Sequence, residues 1–152
     1  YFTKQIPNNI LLSLFKRLKN NTIVLIGAGK ADIKKAETII INSEHKKIIN
    51  LCNKLSIDES AYVIKHAKTI ITGDTGMMHI ASSFDINIVT LWGNTHPKFG
   101  MYAYASADRI QNHLVDIPCH PCSKLGSNEC PRGHFNCMKT HDIPNIVKNL
   151  PE

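Results

Sequence analysis

Short apolar runs closed by turn residues alternate with stretches of helical spacing, and this alternation constrains the fold more than any other feature of the chain. Thr22-Ile23-Val24-Leu25-Ile26 stops at Gly27-Ala28-Gly29; Lys47 to Leu51, Thr69-Ile70-Ile71-Thr72 and Asn87 to Trp92 read as further runs of the same kind. A short run that is apolar throughout suits a strand covered on both faces, as in a parallel sheet. The intervening segments carry helix signals. Ile10, Leu11, Leu14, Phe15 and Leu18 recur at helical spacing after Pro7, with Asn20-Asn21 as the stop. Lys30 to Ile41 predicts a helix burying Ile33, Ala36 and Ile40. Ser56 to Glu59 has the capping-box pattern, with Ala61, Ile64 and Ala67 following on one face. Gly76 to Ser83 predicts one more helix, and a short last one begins at Asp142 with Pro144 in its first turn. Parallel strands need crossover helices, so the expected fold class is α/β, a Rossmann-like doubly wound parallel sheet.

The chain of 152 residues is long enough for one domain with its own core. Its longest apolar runs, Ile39-Ile40-Ile41 and Ile23 to Ile26, fall far short of the roughly 20 residues of a membrane span. It opens Tyr-Phe-Thr-Lys, without Met and without a signal-peptide stretch, and is expected to be a piece of a longer protein. The formal charge of +6 is uneven, because residues 1 to 52 hold nine Lys or Arg against three Asp or Glu, and the remainder holds nine of each. Only Arg17, Arg109 and Arg132 are arginine. A nucleic-acid surface would favour arginine forks interleaved with aromatics, and Lys16-Arg17-Leu18-Lys19 and Lys34-Lys35 offer neither. They read as solvated helix faces, with an anionic ligand or lipid headgroup as the other reading.

In doubly wound sheets ligands bind beyond the carboxyl ends of the strands, which singles out the loops at Gly27 to Asp32, Gly73 to His79 and Trp92 to Phe99. Gly27-Ala28-Gly29-Lys30-Ala31-Asp32 lacks the third glycine of the dinucleotide fingerprint, and no acidic residue ends the next strand, where Ile48-Ile49 leads into Asn50. It fits a glycine turn at least as well as a nucleotide loop. Gly73-Asp74-Thr75-Gly76-Met77-Met78-His79 joins a strand to a helix, so the amides of Thr75, Gly76 and Met77 stand where a phosphate can be held. Thr75 adds a hydroxyl, Gly76 lets a ligand approach the backbone, His79 lies one turn on, and Asp74 accepts from a hydroxyl or holds the turn. An ordinary helix cap with Met77, Met78 and Ile80 as core fits the same spacing. The lysine of a Walker loop is missing, so ATP hydrolysis is not indicated.

Asp74-Thr75-Gly76-Met77-Met78-His79-Ile80-Ala81, followed by Ile88-Val89-Thr90-Leu91-Trp92-Gly93-Asn94-Thr95-His96-Pro97, resembles the most recognisable stretch of glycosyltransferase family 9, the ADP-heptose:lipopolysaccharide heptosyltransferases. Leu51-Cys52-Asn53-Lys54-Leu55-Ser56 and Glu59-Ser60-Ala61 fit the segment that precedes it. The resemblance implies that residues 1 to 152 form a single donor-binding domain, the C-terminal half of a GT-B enzyme, with the N-terminal acceptor domain outside this chain. By position, Lys4 in Thr3-Lys4-Gln5-Ile6-Pro7 matches the lysine on the donor diphosphate, although Ile6 stands where Trp is usual. Asp32 matches an acidic residue on the nucleoside ribose, here Asp for Glu. Asp74, Thr75, Gly76, Met77 and His79 match the loop that contacts diphosphate and sugar.

The implied reaction is an inverting transfer of heptose from ADP-heptose, or a related nucleotide sugar, to a lipopolysaccharide inner-core acceptor. It runs at the cytoplasmic face of the inner membrane and uses no cofactor. The carboxylate that serves as general base belongs to the acceptor domain, so no catalytic residue is expected in this chain, and the domain alone is expected to bind donor weakly and transfer nothing. No nucleic-acid partner is implied.

Four of the five cysteines lie within 19 residues, Cys119, Cys122, Cys130 and Cys137, spaced C-x2-C-x7-C-x6-C in a Cys- and Pro-rich region at about 117 to 140. The two-residue gap lets two thiolates chelate one metal, and four would complete a structural Zn or Fe site. Disulfides and free thiols are the other readings, with His120 and His134 as spare ligands. Cys52 reads as a buried thiol. The cluster also supports a functional alternative, a non-catalytic four-cysteine metal module that binds nucleic acid or a protein partner.

Overall fold

The structure, a computed structural model, describes residues 1 to 150. Its strands are β1 (Ile23–Leu25), β2 (Ile48–Asn50), β3 (Thr69–Thr72), β4 (Asn87–Leu91) and β5 (Ile110–His113). Its helices are α1 (Asn8–Arg17), α2 (Lys30–Asn42), α3 (Ile57–Lys65), α4 (Gly76–Ala81), α5 (Asn136–Lys139) and α6 (Ile143–Lys148). All strand pairs are parallel, β1 with β2 and β3 with β4 with β5, as the apolar runs required. The hydrogen-bonded ladders form two pieces, of two and three strands. β5 is an addition to the sequence reading: Ile110-Gln111-Asn112-His113 carries one apolar residue in four, because an edge position leaves little of it to bury.

The core divides along the helices. α1 and α6 pack with the apolar side of β4: Ile10, Leu14, Phe15, Val89, Leu91, Met138, Ile143 and Ile146 form one buried cluster. Ile64 of α3, Met78 and Ala81 of α4, Ile88 and Trp92 form the other. β4 is therefore covered on both faces, which is why its run is apolar without alternation. In α2 the buried residues are Ala36 and Ile39; Ile40, expected inside, faces out. Ala36 and Ile39 lie three apart on one face, and the three consecutive isoleucines disguise which of them continues it.

Local signals set the element ends. Ser56 accepts from the Glu59 amide while Glu59 Oε2 accepts from the Ser56 amide at 2.7 Å, the reciprocal pair that starts α3. Asp142 accepts from the Asn145 amide at 3.1 Å and Pro144 fills the first turn of α6.

Candidate functional site

The first residues fold across the carboxyl ends of β3 and β4. Phe2 to Lys4 make a single 3-10 turn, and Thr3 in it is fully buried. The Thr3 amide and hydroxyl donate to the Ser127 carbonyl at 3.1 and 2.8 Å, and the Ser127 amide donates back to Thr3 Oγ1 at 2.8 Å. Packing this close needs glycine underneath. A Cβ on Gly73 would overlap the Lys4 carbonyl oxygen, and one on Gly93 would overlap the Thr3 carbonyl oxygen. The glycines that end neighbouring strands thus seat two consecutive carbonyls of the turn.

From that seat Lys4 reaches Asp74. Its Nζ lies 2.8 Å from Asp74 Oδ2, and Thr95 Oγ1 donates to the same oxygen at 3.0 Å. Asp74 is 4% exposed and Thr95 1%, so the carboxylate is a buried charge compensated by an ammonium and a hydroxyl. Among the described residues the one buried side-chain polar atom without a partner is Asn94 Oδ1. The Lys4 and Thr95 partners of Asp74 both meet Oδ2, and the Asp74 side chain is 3% exposed. Thr75, Gly76 and His79 are exposed, Met77 is half-buried, and Met78 is buried. The Thr75 hydroxyl pairs with Thr72 Oγ1 at 3.0 Å, and no side chain caps α4. The first-turn amides of α4 consequently look outward beside the Lys4–Asp74 pair. Met78 behaves as the core reading of this loop expects, while the other residues form an open mouth.

Asp32, in the first turn of α2, accepts from the Ala28 amide at 2.9 Å and so braces its own glycine loop. Asn53, at a left-handed φ of 59°, ties that loop to the end of β2: its amide donates to the Gly27 carbonyl and its Oδ1 accepts from the Gly29 amide. Next to Asp32 on α2, Lys35 Nζ donates to the Ile6 carbonyl at 2.6 Å, and burial lowers the Lys35 pKa.

The Cys-rich segment straps the site from the other side. The Asn94 carbonyl accepts from the Cys122 and Ser123 amides, each at 3.2 Å, and Asn94 Nδ2 donates to Ser127 Oγ at 3.0 Å. The His120 ring nitrogen Nε2 lies 2.9 Å from the Thr95 carbonyl. His96 and His120 rings stand 5.6 Å apart, and desolvation, followed by the Lys98 and His120 charges, lowers the His96 pKa. Cys119, Cys122, Cys130 and Cys137 are free thiols. Burial, and then the neighbouring Cys122, Cys130 and Cys119, push the Cys137 thiol up to about 11. Cys119 Sγ lies 3.7 Å from His134 Nε2. Among the described residues no three His, Cys, Asp or Glu side chains stand where they would hold one metal ion. Cys52 is buried, and desolvation raises its thiol.

The structure thus brings together Lys4, Asp74, Thr75, Gly76 and His79, and leaves Asp32 on a neighbouring loop. Thr3, Thr95 and Ser127 are the members that sequence reasoning missed. A signal existed for Thr95, since a small polar residue two places after the glycine that ends a buried strand sits at the ligand end of the sheet.

A model of "Glycosyltransferase family 9 (heptosyltransferase)" matches residues 3–131. Lipooligosaccharide heptosyltransferase 2 of Campylobacter jejuni is 32% identical over 134 residues, which are 87% of this chain and 41% of that protein. The solved structure of E. coli ADP-heptose lipopolysaccharide heptosyltransferase II superposes with a TM-score of 0.75 at 20% identity, over 97% of this chain and 41% of that one. An E. coli heptosyltransferase solved with ADP superposes at 0.61 and 19% identity, over 74% of this chain and 34% of that one. The chain spans about two fifths of the length of two of these heptosyltransferases, the Campylobacter jejuni protein and E. coli heptosyltransferase II. Its fold, the loop from Asp74 to His79 and the match over most of its residues agree, and the chain belongs to glycosyltransferase family 9, the heptosyltransferases.

Proposed function

We propose that this chain is the donor-binding half of an inverting heptosyltransferase that transfers heptose from ADP-heptose to a lipopolysaccharide inner-core acceptor. The observation that carries the reading is the Lys4–Asp74 pair beside the open turn at Thr75, Gly76 and His79. A diphosphate needs a cation and amide donors within one small mouth, and a sugar needs acceptors for its hydroxyls; Lys4, the first-turn amides of α4 and the Asp74 carboxylate offer these together. In the reaction the acceptor hydroxyl oxygen bonds to the anomeric carbon, the bond from that carbon to the diphosphate oxygen breaks, and ADP leaves with the electron pair. Lys4 and the loop amides stabilise the charge that gathers on ADP. The acceptor proton goes to a base outside this chain. No resident cofactor is required, because the leaving group is already a good one.

Asp32 serves this reading as the ribose contact through the carboxylate oxygen that does not hold Ala28. The acceptor is lipid-linked, which places the work at the cytoplasmic face of the inner membrane; among the described residues no helix is long and apolar enough to cross a membrane. The Cys-rich segment enters as a structural strap held by its backbone; among the described residues its thiols do not stand where three of them would hold Zn or Fe.

Thermal shift and calorimetry with ADP, ADP-heptose, NAD and duplex DNA test the reading. Stabilisation by ADP and ADP-heptose, lost in a Thr75→Ala/His79→Ala double variant that keeps its fold, is the expected result. Stabilisation by DNA without any response to ADP or ADP-heptose overturns it.

A further inference from the structure

Asp74 Oδ2 has two donors of different kinds, the Lys4 ammonium at 2.8 Å and the Thr95 hydroxyl at 3.0 Å. Donors that share one oxygen compete for its charge, so the hydroxyl weakens the hold of the carboxylate on the ammonium. Thr95 cannot swing away from this duty. It is 1% exposed, its carbonyl meets the His120 ring at 2.9 Å, and the preceding Asn94 carbonyl holds the Cys122 and Ser123 amides.

We propose that Thr95 is a positioning residue for the donor diphosphate: by donating to Asp74 Oδ2 it keeps Lys4 aimed at the mouth while leaving the ammonium free to exchange Asp74 for phosphate. The proposal rests on the donor-site reading above and adds to it the residue that tunes the lysine. Without the hydroxyl, Oδ2 would concentrate its charge on Lys4. The ion pair would tighten, and the diphosphate would have to compete harder for the same ammonium. Thr95 touches neither phosphate nor sugar in this scheme; it acts through Asp74.

The test is ADP titration by calorimetry on the full-length protein that carries this chain, comparing the unaltered protein, Thr95→Val, Thr95→Ser, Lys4→Gln and the Lys4→Gln/Thr95→Val pair. Thr95→Val, which keeps the shape and removes the hydroxyl, should weaken ADP binding about tenfold, and Thr95→Ser should restore most of it. In the Lys4→Gln background Thr95→Val should change nothing, because the competition it relieves no longer exists. A residue that only packs the loop would weaken binding equally in both backgrounds and would not be rescued by Ser. Should melting show that Thr95→Val does not fold, Thr95→Ala supplies the same comparison. ADP binding by the unaltered protein together with an unchanged or background-independent Thr95→Val effect overturns the proposal. Failure of the unaltered protein to bind ADP overturns the donor-site reading itself, and this inference with it.

Discussion

Gly73→Ala is the sharpest test of how the lysine is held. The new Cβ would occupy the space of the Lys4 carbonyl oxygen, and backbone cannot yield as the far end of a side chain can. The turn of Phe2 to Lys4 must then lift by roughly an ångström to restore ordinary contact distance. Its attachment to Ser127 consists of the Thr3 amide and hydroxyl donating at 3.1 and 2.8 Å and the Ser127 amide donating back at 2.8 Å. An ångström of separation breaks all of these, and at about 1 kcal/mol for each bond the loss is about 3 kcal/mol. For a chain of this length that corresponds to a melting temperature lower by about 6–12 °C. If the turn detaches instead of straining the whole domain, the melting temperature falls less, but Lys4 leaves Asp74 and ADP affinity drops by about a hundredfold. Scanning calorimetry and ADP titration on the same variant separate the two courses. A Gly73→Ala protein that melts and binds ADP as the unaltered one does would refute the seating of the turn on β3.

Gly76→Ala should behave in the opposite way: nothing lies within 4 Å of its Cβ and the residue begins α4, so stability rises by about 0.5–1 kcal/mol while ADP affinity falls, and equal ADP affinity would count against the mouth at α4. His141 meets the Trp92 carbonyl at 3.2 Å, and burial depresses its pKa from 6.5 to about 4. The unfolded chain takes up that proton more readily, so the contribution of this histidine is full above pH 6.5 and is lost as the pH falls towards 4. His141→Gln should flatten that part of the melting profile, and an unchanged slope would show that other groups carry it. Among the cluster thiols, exposed Cys122 should react first with iodoacetamide at about pH 8 and Cys137 last, because the latter's thiol is buried and pushed up to about 11. Peptide mass spectrometry reads the order, and early labelling of Cys137 would contradict its placement.

The strands and helices that position the site were legible because each is short, apolar and bounded by a strong signal: Gly27 after β1, the capping box before α3, Pro144 in α6. β5 was not, since Gln111 and Asn112 carry a strand whose pairing with β4, not its own burial, holds it in place. The loop from Asp74 to His79 could be read at the level of residues, because strand, turn and helix follow one another within eleven positions, Thr69 to His79. What could not be read is who faces whom. Lys4 and Asp74 are 70 positions apart, and Thr3 meets Ser127 across 124. Such pairs depend on the close approach of two backbones, and sequence records that only as unexplained glycines at 73 and 93. Asp32 illustrates the converse: its match by position says nothing of the Ala28 amide that occupies one of its oxygens.

The three glycines near the mouth divide the work in a way that separates folding from binding. Gly73 and Gly93 are filled from above by the carbonyls of Lys4 and Thr3, so selection for stability alone would keep them small. Gly76 has open space above it, and helix propensity alone would favour alanine there. A glycine at an exposed helix start, beside the Lys4–Asp74 pair, fits the proposed donor, which must come close to that backbone. The Cys-rich strap reaches the same place without its thiols: Ser127 holds Thr3, and the Cys122 and Ser123 amides hold Asn94, next to Thr95.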